Sequence, residues 1–474
     1  MPESVIDVFD RLVYAEPPAE RRDVVETACV LGGSIAGLLA ARVLADHAER
    51  VVIIERDELP ADPVIRHAVP QGAQVHTLVA AGVAWLDRWL PGFSEEMVEA
   101  GATVTLLHEY AILYDGHRQA SSDDQIRSIL AGRPLIETRI RNRVTALPNV
   151  TVVRGQVTGL EFGDGAVTGV RYTADGADQV RSADLVVDAM GWASRVPDWL
   201  GRAEFDQPIL ERLATPLTYA SAVFERAKPT DELPQKGVVS MHSPGQAEGG
   251  LGLAVTNAIE DDQWIVTVIG FDEDRPARTV DELRAVVAPL FPLFQEATSG
   301  AAARDIETYR QAESRRRRFT GLRSFPARLV SVGDAVASFN PIYGQGISSA
   351  ALHASCLSAY LRGEPDQATP AEEFFRLQEV VVDAVWAVSA SGDQARLDAT
   401  NGREVPEDVL EQRQAGQQIV AAALVDGDIA TEFNEVAFML RHPGVLADPA
   451  FVARVRAVTE GMESSLADKA PLAE

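Results

Sequence analysis

"TACVLGGSIAGLLAARVLADHAERVVIIE" runs from Thr27 to Glu55 and decides the fold. It reads as strand, tight turn, helix and second strand. The apolar run "TACVL" ends at Gly32-Gly33-Ser34-Ile35-Ala36-Gly37, a G-x-G-x-x-G pattern in which Ser34 replaces the middle glycine. Gly32 permits the tight turn, and Gly37 lets the helix approach the sheet. The N–H of Ser34 can still face a diphosphate if its Cβ points away. The helix N-terminus beyond it adds partial positive charge. Glu55 ends the second strand, where a ribose-binding carboxylate belongs. Its plainer reading is an ordinary strand-end acid.

A second turn of this kind lies far downstream, in "SVGDAVASFNPIYGQGIS", Ser331 to Ser348. Gly333-Asp334 follows the short apolar strand "RLVSV", and Pro341-Ile342-Tyr343-Gly344-Gln345-Gly346 opens the helix "ISSAALHASCLSAYL". A carboxylate at a strand end can accept hydrogen bonds from sugar or ribityl hydroxyls. Pro341 stiffens the loop, and the N–H groups of Gly346 and Ile347 face whatever sits at the helix start. Alone, the stretch reads as a glycine-rich loop before a core helix. Together, the two turns point to a cofactor long enough to be gripped at both ends.

Composition narrows the rest. The 474 residues can bury a large core, and 46% hydrophobic with 24% charged residues is ordinary for a globular enzyme. A formal charge of −27 argues against nucleic acid or an anionic membrane as the main partner. The longest apolar run, Ala28 to Ala41, is too short to span a bilayer, and the acidic N-terminus lacks a signal-peptide core. Cys29 and Cys356 are the only cysteines, and the eight histidines show no metal-ligand spacing, so no metal site is expected. The expectation is a cytoplasmic protein without a transmembrane segment.

Hairpin signals at Gly163-Asp164-Gly165 and Asp175-Gly176 separate short β-rich runs between 150 and 188. "LTYASAVFE", "KGVVSMH", "LGLAVT" and "QWIVTVIGF" are expected to form an antiparallel sheet. "TVDELRAVVAPLFPLF" reads as helix interrupted by proline, and the chain turns helical after 346, with Asp448 capping a late helix that starts at Pro449. The expected fold class is α/β: a Rossmann-like cofactor-binding domain with an inserted antiparallel β substrate domain and a helical C-terminus. The expected boundaries are 24–210 and 305–365 for the cofactor domain, 211–304 for the substrate domain, and 366–474 for the helical region.

These motifs resemble those of FAD-dependent monooxygenases of the para-hydroxybenzoate hydroxylase type. That family carries an N-terminal GxGxxG, a middle DG motif and a late GD…P…GxG motif. "VVDAMGWASR", Val186 to Arg195, matches the middle motif with Gly191 and Ser194 in register, and Met190 stands where many members have Asp. "IRHAVPQGAQVHTLVAAG" (65–82), "GRPLIETRIRNRV" (132–144) and "VVDAVWAVSASGD" (381–393) resemble an actinobacterial branch that includes polyether polyketide epoxidases of the lasalocid type. In the first of these, Ala68 and Gln74 replace the usual Gly and His. The resemblance covers about residues 27–395 and implies that the Rossmann-like domain is an FAD-binding one of the glutathione reductase type. It implies FAD held by Gly32, Ser34, Ile35, Ala36, Gly37, Glu55, Arg56, Arg66, Val69, Arg133, Val157, Gly191, Asp334, Pro341, Gly344, Gly346 and Ile347. Asp334 would meet the ribityl chain, Gly346 and Ile347 the flavin ring, and His76 either touches flavin or is structural.

In this family reduced flavin activates O2, with NAD(P)H or a partner flavin reductase supplying electrons, and one oxygen atom enters the substrate. Such chemistry needs no protein nucleophile or metal, and no catalytic acid or base is assigned. The expected substrate is an apolar polyketide or terpenoid, free or carrier-bound. Tyr219, Phe224 and Trp264 on the predicted sheet, with Tyr343, are candidates for its pocket; strand aromatics are also common core residues. Arg315-Arg316-Arg317-Arg318 reads as a solvated face, with capture of an NADPH phosphate or an anionic carrier as the alternative. A flavin reductase or dehydrogenase of the geranylgeranyl reductase kind is the competing function.

Overall fold

The computed structural model describes residues 3–121, 125–243 and 250–467. The end of the helical region expected over 366–474 therefore lies outside the described residues.

Thr27–Glu55 folds as its pattern requires: strand Val25–Leu31, helix Ile35–Leu44 and strand Ala48–Glu55. They enter a five-stranded parallel sheet whose spatial order is Leu329–Ser331, Leu185–Asp188, Val25–Leu31, Ala48–Glu55, Val150–Arg154. Strands covered on both faces must be apolar on both, and the runs Ala28–Leu31 and Val51–Ile54 are fully buried. Helices Ile35–Leu44 and Gly346–Arg362 pack against each other in this core. An N-terminal helix, Val5–Val13, is capped by Ser4 and buries Phe9, Leu12 and Val13 there too.

The expected hairpins form a separate three-stranded sheet of Gln156–Gly163, Ala166–Ala174 and Ala177–Ser182. Pairings Gly163↔Ala166 and Ala174↔Ala177 leave the two-residue turns Asp164-Gly165 and Asp175-Gly176.

The large sheet has eight strands in the order Ala337–Ser338, Ala302–Arg318, Ile209–Glu225, Gln263–Phe271, Leu251–Ile259, Gly237–Met241, Tyr110–Tyr114, His117–Arg118. Its pairings are antiparallel except Gly237–Met241 with Tyr110–Tyr114. Two strands come from the 103–118 region and one 17-residue strand straddles residue 304, so the sheet is stitched into the cofactor half at both ends. One face packs Phe224, Trp264, Val266 and Val268 against helices Val280–Val287 and Pro292–Ala297, with Pro289 in the break between them. The other face carries Leu217, Tyr219, Leu253, Val255 and Ile269.

The chain after residue 346 is helical: Gly346–Arg362, Glu372–Asn401, Glu407–Ala423, Gly427–Ala437 and Pro449–Ala467. Asp448 caps the last of these, accepting from the N–H groups of Ala450 at 2.8 Å and Phe451 at 3.3 Å. Among the described residues, no helix is long and apolar enough to cross a membrane.

Candidate active site

Main chain builds the first wall of the site. Gly32 sits at φ +108°, and a Cβ there would lie 2.6 Å from the Ala189 carbonyl oxygen. Gly37 is tighter still: its Cβ would stand 2.0 Å from the Gly32 oxygen. Only glycine lets the helix start this close to the strand end. Ser34 caps that helix in extended conformation without a side-chain bond to it. Its hydroxyl instead donates to Glu137 Oε2 at 2.9 Å.

Glu55 closes the second strand beside the turn. Its Oε2 accepts from Gly33 N–H at 2.6 Å and its Oε1 from Asp57 N–H at 2.9 Å. Arg66 lies behind it, 3.8 Å from Glu55, 3.5 Å from Asp57 and 2.6 Å from Glu137. Glu137 also faces Arg133 at 3.6 Å and Arg141 at 4.0 Å, each one helical turn away on Arg133–Thr145. Burial presses the Arg133 guanidinium below its usual pKa, while Glu137 and Asp334 pull it back up.

Gly333-Asp334 reaches the same space from the Leu329–Ser331 strand. No protein donor hydrogen-bonds the Asp334 carboxylate among the described residues, and the side chain lines the cavity. Burial raises its pKa, opposed by the charges of Arg133 and Arg315. A lone acceptor aimed into a cavity suits a ligand hydroxyl. Beyond it, Pro341–Tyr343 and the N-terminus of Gly346–Arg362, which has no side-chain cap, complete the wall.

These walls enclose one continuous cavity of about 2060 Å³. Gly32, Ser34, Ile35, Ala36, Glu55, Arg56, Arg66, Val69, Arg133, Val157, Gly191, Asp334, Pro341, Gly344, Gly346 and Ile347 all line it. Gly37 does not; it acts from behind, through the close approach to Gly32. The cradle fits a dinucleotide such as FAD on two grounds of its own: a turn that a Cβ would fill, and an Asp334 carboxylate without a protein donor. His76 also lines the cavity, with Nδ1 3.0 Å from the Gln74 carbonyl. Burial, with Arg133 nearby, holds its pKa down to about 3, so the ring stays neutral.

The other end of the cavity is apolar. Tyr219, Leu253, Val255 and Ile269 project from the sheet, Tyr343 from the loop, and Val388, Ile419, Val420 and Phe438 from the C-terminal helical region. Two pocket candidates are corrected. Phe224 and Trp264 pair across neighbouring strands on the opposite face, against the two short helices, and do not line the cavity. Side chains alternate along a strand, so Tyr219 and Phe224, five residues apart, cannot share a face.

The arginine run is a second correction. It lies on the Ala302–Arg318 strand, and alternation buries Arg315 and Arg317. Arg315 stacks 4.0 Å over Trp192, and burial lowers its pKa to about 10. Arg316 bonds Glu211 at 2.7 Å and Asp383 at 2.6 Å, and Arg318 bonds Glu379 at 2.6 Å. Of four basic residues that read as a solvated face, Arg316 and Arg318 tie the sheet to the Glu372–Asn401 helix, while Arg317 donates to the Ala335 carbonyl at 2.7 Å.

Sequence reasoning missed Glu137, whose signal was the i, i+4 spacing Arg133-Glu137-Arg141. It also missed Asp188, two residues before Met190. That buried carboxylate accepts from Ser194 Oγ at 2.5 Å and Met190 N–H at 3.1 Å, fixing the turn at Gly191.

The family model of the FAD binding domain matches residues 25–368. Protein Rv3254 of Mycobacterium tuberculosis is 35% identical over 386 residues, covering 77% of this chain and 80% of the relative. Squalene epoxidase 3 of Arabidopsis thaliana is 28% identical over 186 residues, 38% of this chain and 33% of its own length. Among solved structures, p-nitrophenol 4-monooxygenase PnpA from Pseudomonas putida DLL-E4 superposes with a TM-score of 0.62 at 17% identity, over 88% of this chain and 99% of that one.

Proposed function

The chain belongs to the FAD binding domain family, and from that premise we propose how its cavity is used. It is a FAD-dependent monooxygenase. It inserts one oxygen atom from O2, by epoxidation or hydroxylation, into an apolar polyketide or terpenoid intermediate, as polyether polyketide epoxidases do. The observation that carries this reading is the two-ended cavity. Its volume of about 2060 Å³ exceeds the roughly 300–1,000 Å³ of a pocket for one small ligand. One end is main chain and charge; the other is hydrocarbon.

FAD bound at the polar end supplies the oxygen-activating chemistry. Glu55 would accept from the adenosine ribose, the Ser34 and Ile35 N–H groups would face the diphosphate, and Asp334 would hold the ribityl chain. The helix start at Gly346 and Ile347 would meet the flavin ring. Tyr219, Leu253, Val255 and Ile269 hold an apolar substrate against that ring and exclude water. Electrons come from NAD(P)H docking transiently or from a separate flavin reductase, and the substrate is free or carrier-bound.

The test supplies FAD-loaded protein with an electron source, isotopically labelled dioxygen and a linear polyene such as squalene. One labelled oxygen atom per product, read by mass spectrometry, is the expected result. Flavin reoxidation that releases only hydrogen peroxide with every polyene would overturn it. Reduction of prenyl double bonds under argon would replace it with the geranylgeranyl reductase reading.

A further inference from the structure

The stretch Val381–Asp393 ends on a side chain that the proposed reaction leaves unused. Ser391, Gly392 and Gln394 of the Glu372–Asn401 helix line the cavity, while Asp393 turns inward and is 2% exposed. Its Oδ1 accepts from Asn340 Nδ2 at 2.7 Å. Asn340, 1% exposed, is the N-cap of the Pro341–Tyr343 turn, and its Oδ1 accepts from Ile342 N–H at 3.1 Å. A carboxylate only accepts and a main-chain N–H only donates, so these two neighbours dictate the orientation of the Asn340 amide. Among the described residues, no other group accepts from its NH2 edge.

We propose that Asp393 is a positioning residue for the cofactor loop, acting through Asn340 to hold Pro341–Gly346 in the shape that meets the flavin ring. The inference rests on the FAD reading above. It gives the Glu372–Asn401 helix, which also lines the cavity, a hold on the cofactor loop.

The surroundings show how much depends on this contact. Asp393 Oδ2 is buried without a hydrogen-bond partner among the described residues. Burial raises its pKa to about 6, against the pull of the Asn340 bond and of Arg396. The groups that face it are Tyr219 from the sheet, Tyr343 from the loop, and Arg396 one turn along its own helix. Arg396 bonds Asp272 through Nη1 at 2.6 Å, and among the described residues its Nε and Nη2 and the Tyr219 hydroxyl have no hydrogen-bond partner. Among the described residues, the Asn340 amide is thus the one hydrogen bond that holds the carboxylate to the loop. Helix and loop also touch at Gly392, where a Cβ would stand 2.5 Å from the Tyr343 hydroxyl.

The experiment titrates FAD into flavin-stripped wild type, Asp393→Ala, Asp393→Asn, Asn340→Ala and the double alanine variant. It reads fluorescence quenching, the visible flavin spectrum, the midpoint potential and Tm. Asp393→Ala and Asn340→Ala should each raise the FAD Kd about tenfold and shift the spectrum, and the double variant should be no worse than either single. Asp393→Asn, whose carbonyl still accepts from Asn340, should stay within about threefold of wild type. Wild-type Kd, spectrum and potential in a folded Asp393→Ala would overturn the proposal. So would equal Tm losses in Asp393→Ala and Asp393→Asn with unchanged flavin readings. If Asp393→Ala does not fold, Asn340→Ala against Asp393→Asn decides by the same criteria. A wild type that takes no FAD would instead bring down the cofactor reading itself, and this inference with it.

Discussion

The two ends of the cavity are built from different material. At the Gly32–Gly37 end the wall is main chain, and side chains matter mostly by their absence. At the sheet end the wall is side chains on a regular backbone. The first design tolerates almost no change, because a Cβ has nowhere to go. The second can be re-cut residue by residue while the backbone stays as it is.

The sharpest test of this contrast is Gly37→Val. A side chain facing the Gly32 carbonyl at 2.0 Å should cost about 4–5 kcal/mol or more, read as loss of soluble, FAD-binding protein. A folded, flavin-loaded variant would mean that this wall is less rigid than its geometry says.

Within the sheet the comparison narrows to two aromatics on one strand. Phe224→Ala empties a site in the core behind the sheet and should cost about 3–5 kcal/mol in denaturant unfolding. The affinity of an apolar probe for the cavity should not change. Tyr219→Phe removes only an unpartnered hydroxyl at the cavity wall. It should leave stability nearly unchanged and alter probe affinity. Reversed results would exchange the two faces.

Asp188 supplies a pH test at the nucleotide end. Burial lifts its pKa to about 6, opposed by the Ser194 and Met190 hydrogen bonds, Arg317 and Ser331. The unfolded carboxyl titrates near 4, so the native state favours the protonated form. The stability this contributes is full below about pH 4 and is lost as pH rises through about 6. Relative to Asp188→Asn, wild type should therefore lose on the order of 2 kcal/mol across that window, measured by urea unfolding at each pH. A flat difference would remove the titration from Asp188. Smallest is Asp334→Ala, expected to raise the FAD Kd about tenfold, or about 1.4 kcal/mol, with little change in Tm.

Legibility followed the same divide. The strand–turn–helix at Thr27–Glu55 and the loop from Gly333 to Ile347 could be read because their chemistry is local: glycines, a strand-end acid, a helix start. The sheet could be recognised as a sheet, but not which way its residues faced. All nine residues of Leu251–Ile259 are buried, so no polar–apolar alternation separates the cavity face from the core face. The same blindness misplaced Phe224 and Trp264, while the arginine run looked solvated because the strand Ala302–Arg318 was not expected. Asp393 was illegible for another reason, and Glu137 was legible only through its i, i+4 arginines: folding alone brings Ser34 to Glu137 and Asn340 to Asp393.

The amino-acid sequence by itself determined the two glycine turns that line the cavity, because a tight turn beside a helix start is a matter of backbone sterics within a few residues. Tertiary structure alone decided which face of the large sheet meets the cavity, which charges are paired, and how the C-terminal helix reaches the cofactor loop. Those depend on packing between segments hundreds of residues apart, and no local pattern encodes which of two apolar faces will find the cavity.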